Sequence, residues 1–298
     1  MTDGISHTLS DQMFHFTLPV RDVRGRAVRL DGVLDTILSA HDYPPIIRKL
    51  LAEALVVTAL IGSLLKEEDS QLTMQAQTDN GVVKLMVCDY RNGELRGYVQ
   101  HDADRLATLG ANPSLEALFG KGFLAVTFDL AVTGERYQGI VPLEGHSIAH
   151  VCEDYFARSE QVPTLIRVAV SEPGHGNVAG GLLIQHLPDG EEGRERLHVR
   201  MDHPHWEHAS ILAATISPAE MLDSALSMED IVWRLFHEED EVRAEPGSVI
   251  TRGCRCSVIH FENVLSRFPP EERKEMRDEN GVILVDCAFC SRVFPIQD

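Results

Sequence analysis

The feature that most restricts the fold of this chain is a set of four cysteines near its end. Cys254 and Cys256 are separated by one residue, Cys287 and Cys290 by two, and 30 residues lie between the two pairs. Three kinds of site use thiols in such an arrangement: a structural metal site, a pair of disulfides, or a catalytic thiol pair. The rest of the chain has to distinguish between them.

The segment that carries these cysteines, residues 246–298, is too short to bury a secure hydrophobic core. Modules of this size usually depend on a metal, a disulfide or a partner. Four thiolates at tetrahedral distances form the ligand set of a closed zinc site, and the binding free energy of the metal is available to fold the module. We therefore expect a small C-terminal zinc-binding domain with one Zn²⁺. Its expected ligands are Cys254, Cys256, Cys287 and Cys290.

A thiolate is also the nucleophilic and oxidisable form of sulfur. Loss of two electrons from each neighbouring pair would give disulfides, remove the metal ligands and take away the force that folds the module. The spacing of the cysteines therefore leaves two interpretations open, a structural zinc site and a redox switch.

The net charge of the chain limits which partners it can bind. The chain has 46 acidic and 27 basic residues, a formal net charge of −19, which repels nucleic acid and anionic lipid. Its N-terminus lacks the basic start and apolar core of a signal peptide, and we find no apolar run of about 18 residues that would span a bilayer. We expect a cytoplasmic protein with no nucleic-acid or membrane partner, in a compartment where permanent disulfides are rare.

Residues 1–188 mix helix and strand signals. An apolar stretch that ends near Leu65 begins at two prolines, which is typical of a buried helix. Alternating segments on either side of residues 79–81 and of Asn92-Gly93 predict an antiparallel meander, since these are hairpin-turn residues. Sheets and helices that do not follow strict βαβ order predict an α+β fold, with this part as a mixed sheet-and-helix domain.

Residues 189–245 are predicted to be a charged helical linker. This stretch contains 15 acidic and 5 basic residues, yet Ser217-Pro218 with Glu220, and Ser227 with Asp230, are helix-capping patterns. It is either a solvated helical connector or an element that is folded only while something holds it, because short helices are marginal alone. The stretch from Asp202 to His208 holds metal-ligand residue types, but we expect an irregular polar turn there.

The two other cysteines, Cys88 on a predicted strand and Cys152 on a predicted helix, are expected to be buried as small apolar residues. Accessory redox sensing is the alternative for both. We find no G-x-S-x-G, H-E-x-x-H or P-loop motif, so we do not expect an enzyme.

Two other classes of protein use similar cysteine patterns. A thiol-disulfide oxidoreductase places its C-x-x-C at the start of a helix, whereas Cys287 follows a predicted strand and a second pair accompanies it. A zinc-ribbon nucleic-acid-binding protein needs a basic surface, and residues 189–298 contain no net basic stretch.

Nearly the whole chain resembles the heat-shock protein 33 family of bacterial redox-regulated chaperones. The resemblance rests on the four cysteines and on four further segments. These are "RYQGIVPLEG" from Arg136, "EDYFARSEQVPT" from Glu153, "AGGLLIQHLP" from Ala179 and "VWRLFHEEDEV" from Val232.

The resemblance implies a holdase chaperone that works without ATP. Its reduced, zinc-bound form is inactive, and oxidation forms two disulfides, releases zinc, and unfolds the C-terminal domain and the linker. The exposed surface then binds unfolding client proteins, commonly as a homodimer. Carried onto this chain, the disulfides are Cys254–Cys256 and Cys287–Cys290, and the metastable linker is residues 189–245. The residues expected to hold this linker on the first domain are Trp233, Leu235 and Phe236.

Overall fold

The computed structural model describes residues 10–187 and 202–297, and it confirms the predicted α+β fold. The predicted linker residues 189–201 lie outside this described part. Strands and helices do not alternate in βαβ order; they form two large sheets and one small hairpin in the described residues.

The first sheet contains strands from distant parts of the chain. Its strands are β1 (Gln12–Leu18), β2 (Val23–Leu30), β8 (Thr164–Val170), β9 (Ala179–His186) and β10 (Arg243–Val249). They lie in the order β10-β1-β2-β9-β8, and all neighbours are antiparallel. Strand β10 spans the boundary between residues 245 and 246 at which the sequence divides linker from zinc domain. The three-unit division of the chain stays a prediction.

The second sheet contains the predicted meander. Its strands are β3 (Gln71–Thr78), β4 (Val83–Arg91), β5 (Glu94–His101), β6 (Gly122–Asp129), β7 (Arg136–Pro142) and the short β11 (Thr251–Arg252), in the order β11-β5-β4-β3-β6-β7. The turn between β4 and β5 is made by Asn92 and Gly93, both with positive φ, 51° and 80°. These are the residue types that a two-residue hairpin turn requires.

Helix α2 (Pro45–Gly62) lies between the two sheets and contacts strands of both. It is apolar around most of its circumference, as expected of a helix buried on both sides. Its side chains form the main core together with the inner faces of the sheets. The smaller helices of this part are α1 (Gly32–Leu38), α3 (Ala103–Leu106), α4 (Leu115–Phe119) and α5 (Ile148–Tyr155).

Three helices cover the face of the first sheet that points away from α2. They are α6 (Pro204–Ala214), α7 (Pro218–Leu222) and α8 (Met228–Phe236). The predicted capping boxes at Ser217 and Ser227 are both confirmed. The expectation of an irregular turn at the start of this region is wrong, because Pro204 opens α6 and the His203 side chain accepts a hydrogen bond from the N–H of His205.

The C-terminal part contains α9 (Val258–Leu265), α10 (Pro270–Glu275), β12 (Val282–Asp286) and β13 (Val293–Gln297), the last two paired as an antiparallel hairpin. Strand β12 ends directly before Cys287, which confirms the strand predicted there. Across the described residues, the helices are all too short or too polar to cross a lipid bilayer.

Candidate metal centre and linker interface

Four sulfur atoms lie close together in the C-terminal part. The Sγ atoms of the four cysteines all lie within 4.8 Å of one another. The Sγ of Cys254 is 3.2 Å from that of Cys256 and 3.5 Å from that of Cys287, and the Sγ of Cys256 is 3.5 Å from that of Cys290. All four are free thiols. The fold thus brings together the four cysteines that the sequence predicts to converge.

The first cysteine pair is anchored to the second sheet. The N–H of Gly253 donates to the carbonyl of Leu95 over 2.8 Å, immediately before Cys254. Gly253 lies so close to β5 that an added Cβ would be 2.4 Å from the Cβ of Glu94. A glycine is therefore required for the chain to approach β5 at this point.

The second pair lies on the tight turn between β12 and β13. The N–H groups of Cys290 and Ser291 both donate to the carbonyl of Cys287, over 3.2 and 2.8 Å, and the N–H of Cys287 donates to the carbonyl of Arg292 over 3.0 Å. Ser291 has a φ of 54°, which closes the turn. This backbone holds the two thiols on the side that faces the first pair.

The cluster of four thiols has dimensions that fit a metal ion. A zinc–sulfur bond is about 2.3 Å, so four tetrahedral sulfurs would lie about 3.8 Å apart, close to the observed separations. Burial and neighbouring thiols raise the pKa values of Cys256 and Cys287. Burial also opposes ionisation of Cys290, but hydrogen bonds from the Arg292 backbone and the neighbouring thiols lower its pKa to about 7. A cation would stabilise all four as thiolates, which is the form that binds metals.

The hydrophobic core around these cysteines is small. Its buried members are Leu265, Ile283, Cys287, Phe294 and Ile296. One of these five is itself a thiol of the cluster. A core of this size supplies little stability by itself, so a link between the four sulfurs would stabilise this part.

The turn of the second cysteine pair packs on β5 and on the segment before α2. His41 Nε2 donates to the carbonyl of Ala288 over 2.8 Å, and the Ser291 hydroxyl donates to Nδ1 of the same ring over 3.0 Å. The Phe289 ring packs edge-on against Tyr98 with 5.0 Å between centroids, and the Arg96 guanidinium lies 4.0 Å above it. No sequence motif indicates this contact, since its partners come from distant segments.

The linker helices bury apolar side chains against the first sheet. Phe236 is fully buried, with its ring centroid 5.6 Å from that of Phe16 on β1, and Leu235 packs on the same cluster with part of its surface exposed. Trp233 differs from the expectation, because it is 61% exposed. Its side chain is on the outer face of α8, whereas the side chains of Ile231 and Val232, on the same helix, are buried.

Two buried charged side chains also hold the linker. Arg29 on β2 donates from Nε to the carbonyl of Met221 (2.8 Å) and from Nη1 to that of Leu226 (2.6 Å). The Glu239 side chain, only 3% exposed, accepts from Arg21 Nε (2.8 Å) and from His208 Nε2 (2.7 Å). Sequence reasoning missed both residues. Glu239 stands in the acidic run "HEEDE", which gives no signal that one carboxylate is buried and paired.

The other residues that the sequence suggested, the histidines near α6 and two further cysteines, do not form a second site in the described part of the chain. Of the described residues, only the four clustered cysteines are grouped closely enough to hold a metal ion, so the histidines of the Asp202–His208 stretch form no second centre. Cys88 and Cys152 are fully buried, and burial raises the pKa of both thiols, which confirms the prediction that they are packed as apolar residues.

Comparison with known proteins gives a consistent result. The family model described as Hsp33 protein matches residues 11–297. A 33 kDa chaperonin of Caulobacter vibrioides is 38% identical over 306 aligned residues, which cover 99% of this chain and 98% of the relative. A 33 kDa chaperonin of Yersinia pestis is 33% identical over 281 residues, 94% of this chain and 90% of the relative.

A solved structure has the same fold. The crystal structure of a 33 kDa chaperonin (heat shock protein 33 homolog) from Thermotoga maritima superposes with a TM-score of 0.78, covers 96% of this chain and 95% of its own, and is 23% identical in sequence. This likeness supports the fold alone, whereas the family model matches a range that includes all four clustered cysteines. The chain belongs to the Hsp33 protein family.

Proposed function

We propose that this protein is a redox-regulated holdase chaperone that works without ATP. The observation that carries the proposal is the pairing of two features in one chain. Four thiols converge in a module with a very small core, and a set of helices that precedes this module in the chain covers an apolar sheet face. The names of the 33 kDa chaperonin relatives support the chaperone class.

In the reduced state, the four clustered cysteines would hold one Zn²⁺. The metal would supply a tetrahedral link between four thiolates, in place of the core that the module lacks. Docking of the Phe289 turn on Arg96 and Tyr98 then ties this module to the first domain, and β10 pairs with β1. In this state the linker helices cover the sheet, so the protein is inactive.

Oxidation would convert the four thiols into the disulfides Cys254–Cys256 and Cys287–Cys290. With peroxide as oxidant, each pair of zinc-bound thiolates gives up two electrons to form one S–S bond, and the peroxide takes up these electrons and two protons from solvent to become two waters. The separation of 3.2 Å between the Sγ atoms of Cys254 and Cys256 supports the first pairing. A disulfide sulfur is a poor metal ligand, so the module would lose its metal and its fold.

Loss of the module would free the linker, residues 189–245. The helices are short and the linker is strongly acidic, so they are marginal once their neighbours unfold. Their release bares an apolar face that unfolding client proteins would bind. The sheet residues on this face are Phe16, Leu18, Val23, Ala27, Ala169, Leu182 and Ile184. We further propose a cytoplasmic protein that acts as a homodimer when oxidised, with no nucleic-acid or membrane partner.

The decisive experiment follows zinc and client aggregation in the same sample. The zinc-loaded, reduced protein is treated with peroxide at elevated temperature, zinc is measured with a chromogenic chelator, and light scattering reports aggregation of a heat-denatured client. We expect zinc release and aggregation suppression to rise together, and reduction with added zinc to reverse both. Release of zinc without any suppression of aggregation would disprove the holdase proposal.

Two further measurements separate the other classes. A thiol-disulfide oxidoreductase would reduce insulin with turnover, and a zinc-ribbon nucleic-acid-binding protein would bind DNA or RNA with a steep salt dependence. We expect neither activity from the zinc-loaded or the oxidised protein.

A further inference from the structure

The first sheet changes character beyond the end of helix α2. On the α2 side, Met13 and Val28 face each other and belong to the main core. Side chains alternate between faces along a strand, so His15 and Arg26, the next pair on this face, point the same way. Helix α2 ends at Gly62 and does not extend over this pair. The apolar face therefore continues as a basic one.

A cavity lies over this basic part of the sheet. Its volume is about 420 Å³. Arg24 and Arg26 line it from β2, Arg243 from β10, and Lys66 from the segment that follows α2. His15 and Glu245 also line it. Four cationic side chains thus surround one carboxylate, in a chain whose net charge is −19.

The two central arginines have only neutral partners in the described part of the chain. Arg24 donates from Nε and Nη2 to the side-chain oxygen of Gln185, over 3.0 and 2.8 Å, and Arg26 Nη1 donates to the carbonyl of Gly25 over 2.8 Å. Within the same described residues, Arg26 Nε and His15 Nε2 are buried without a hydrogen-bond partner. Arg243, by contrast, pairs with Glu241 over 2.7 Å.

Holding Arg24 and Arg26 together costs free energy. Burial, followed by the charge of Arg24, lowers the pKa of Arg26 to about 10, against the opposing effect of Glu245. Burial and the charge of Arg26 also lower the pKa of His15. Like charges that are buried side by side destabilise a fold when the one nearby carboxylate, here Glu245, offsets only part of their charge, and such clusters are typical of sites where an anionic ligand supplies the missing charge.

We propose that this cavity is a binding site for a small, multiply charged phosphate anion, held by Arg24, Arg26, Lys66 and Arg243. Guanidinium groups match the oxygens of phosphate with two parallel hydrogen bonds, and several cations in one cavity favour a ligand with more than one negative charge. Inorganic pyrophosphate has this chemistry and is far smaller than the cavity. The site is separate from the cysteine cluster and does not depend on the proposed chaperone activity.

Titration calorimetry of the reduced, zinc-loaded full chain with inorganic pyrophosphate tests the proposal. We expect saturable binding of one pyrophosphate per chain, and weaker binding of inorganic phosphate at the same ionic strength. Arg26→Gln should weaken pyrophosphate binding about tenfold or more, since a hydrogen-bonded charge is lost. Arg136→Gln is the matched control, because Arg136 is exposed on β7 and paired with Asp129. It should bind as the parent does.

Two controls separate binding in this cavity from zinc chelation and from misfolding. Pyrophosphate binds zinc, so the zinc content is measured after each titration. The Arg26→Gln chain keeps all four cysteines, so any heat from zinc removal should be the same in this variant as in the parent. If Arg26→Gln does not fold, pyrophosphate binding is measured instead with Arg24→Gln and with Arg26→Lys, which keeps the positive charge. An equal Kd for Arg26→Gln and Arg136→Gln, or an equal heat from sodium chloride of the same ionic strength, would overturn the proposal.

Discussion

At the scale of single residues, Arg29 is the side chain that most directly joins the linker to the first sheet. It is buried, and its guanidinium donates to the carbonyls of Glu220, Met221 and Leu226. These carbonyls lie at and after the end of α7, where a helix leaves acceptors without internal partners. A single arginine from β2 therefore donates to three carbonyls of the linker.

Arg29→Met keeps most of the length of the side chain and removes its donors. We expect residues 218–226 to exchange amide hydrogens faster, with a local loss of about 1–3 kcal/mol from the unsatisfied carbonyls. Arg234→Met is the matched control, because Arg234 is on the exposed side of α8 and, among the described residues, its side chain is paired only with Glu220, over 3.5 Å. Equal exchange in both variants would contradict the assigned role of Arg29.

Glu239 is the residue through which we expect acid to act on the linker. Burial acts to raise its pKa, but the hydrogen bonds and charges of Arg21 and His208 outweigh this and lower the pKa below the ordinary value of 4.5. A carboxylate with a lowered pKa stabilises the fold above its unfolded pKa, and this contribution is lost as the pH falls through the folded pKa. We therefore expect the linker to loosen below pH 4.5.

Tryptophan fluorescence can follow this acid loosening. The chain has two tryptophans, of which Trp206 is buried on α6 and Trp233 is exposed, so Trp233→Phe leaves one reporter inside the interface. In this background we expect a red shift of Trp206 emission as the pH falls. Glu239→Gln should shift the emission already at neutral pH and flatten the acid transition. An unchanged acid transition in that variant would show that other groups control it.

At the scale of elements, α8 packs on the first sheet through its inner face. Phe236→Ala removes a fully buried ring and should cost about 3–5 kcal/mol where the site cannot collapse. We expect limited proteolysis within the linker of the reduced, zinc-loaded protein. Trp233→Ala, from the exposed face of the same helix, should leave the protease pattern unchanged. Similar sensitivity in the two variants would contradict the observed orientation of α8.

The turn that carries the second cysteine pair depends on Phe289 for its docking. Phe289→Ala removes the edge contact with Tyr98 and the cation–π contact with Arg96, the latter worth about 0.5–1 kcal/mol at an exposed site. We expect faster reaction of the C-terminal thiols with a thiol reagent in the reduced protein. Phe268→Ala is the control, since Phe268 is 38% exposed and lies outside the module's core cluster. Equal thiol reactivity in the two variants would contradict the docking role.

At the scale of the whole molecule, local patterns predict much of the fold. Turn residues such as Asn92-Gly93 and the serine caps at Ser217 and Ser227 act over a few neighbours, so the meander and two linker helices are predictable. The convergence of the cysteines is predictable because a short module has few ways to bury them. The pairing of β10 with β1 is not, because it joins distant parts of the chain through an exposed strand with no apolar alternation.

The orientation of α8 is predictable only in part. The sequence places Trp233, Leu235 and Phe236 within one turn. Leu235 is two positions from Trp233 and one from Phe236, so it shares a face with neither, whereas Trp233 and Phe236 are three apart and could share one. Which of them faces the sheet depends on how the capping box at Ser227 sets the start of the helix and on where Phe16 lies across the interface. The burial of charged residues such as Arg29 and Glu239 cannot be predicted from the sequence either, because their partners come from other elements.

Strand β10 connects the two parts of the proposed switch, since it follows the linker helices and leads through β11 to Cys254. Loss of the thiol cluster should therefore loosen the linker even when no disulfide forms. The double variant Cys254→Ser/Cys256→Ser, kept reduced, cannot hold zinc with four thiolates. We expect it to unfold beyond Gly253, to expose the linker to protease, and to suppress client aggregation without any oxidant.

The matched control for this variant is Cys88→Ala/Cys152→Ala, which also loses two cysteines but from the main core. The two small cavities should make this variant less stable than the parent. It should still bind zinc, and its linker should stay protected from protease. If the serine variant loses zinc but its linker stays protected, the module and the linker are uncoupled, and disulfide formation itself must carry the signal. A loosened linker in both variants would instead indicate that general destabilisation is sufficient, because the interface beneath α6 to α8 would then be the weakest part of the fold.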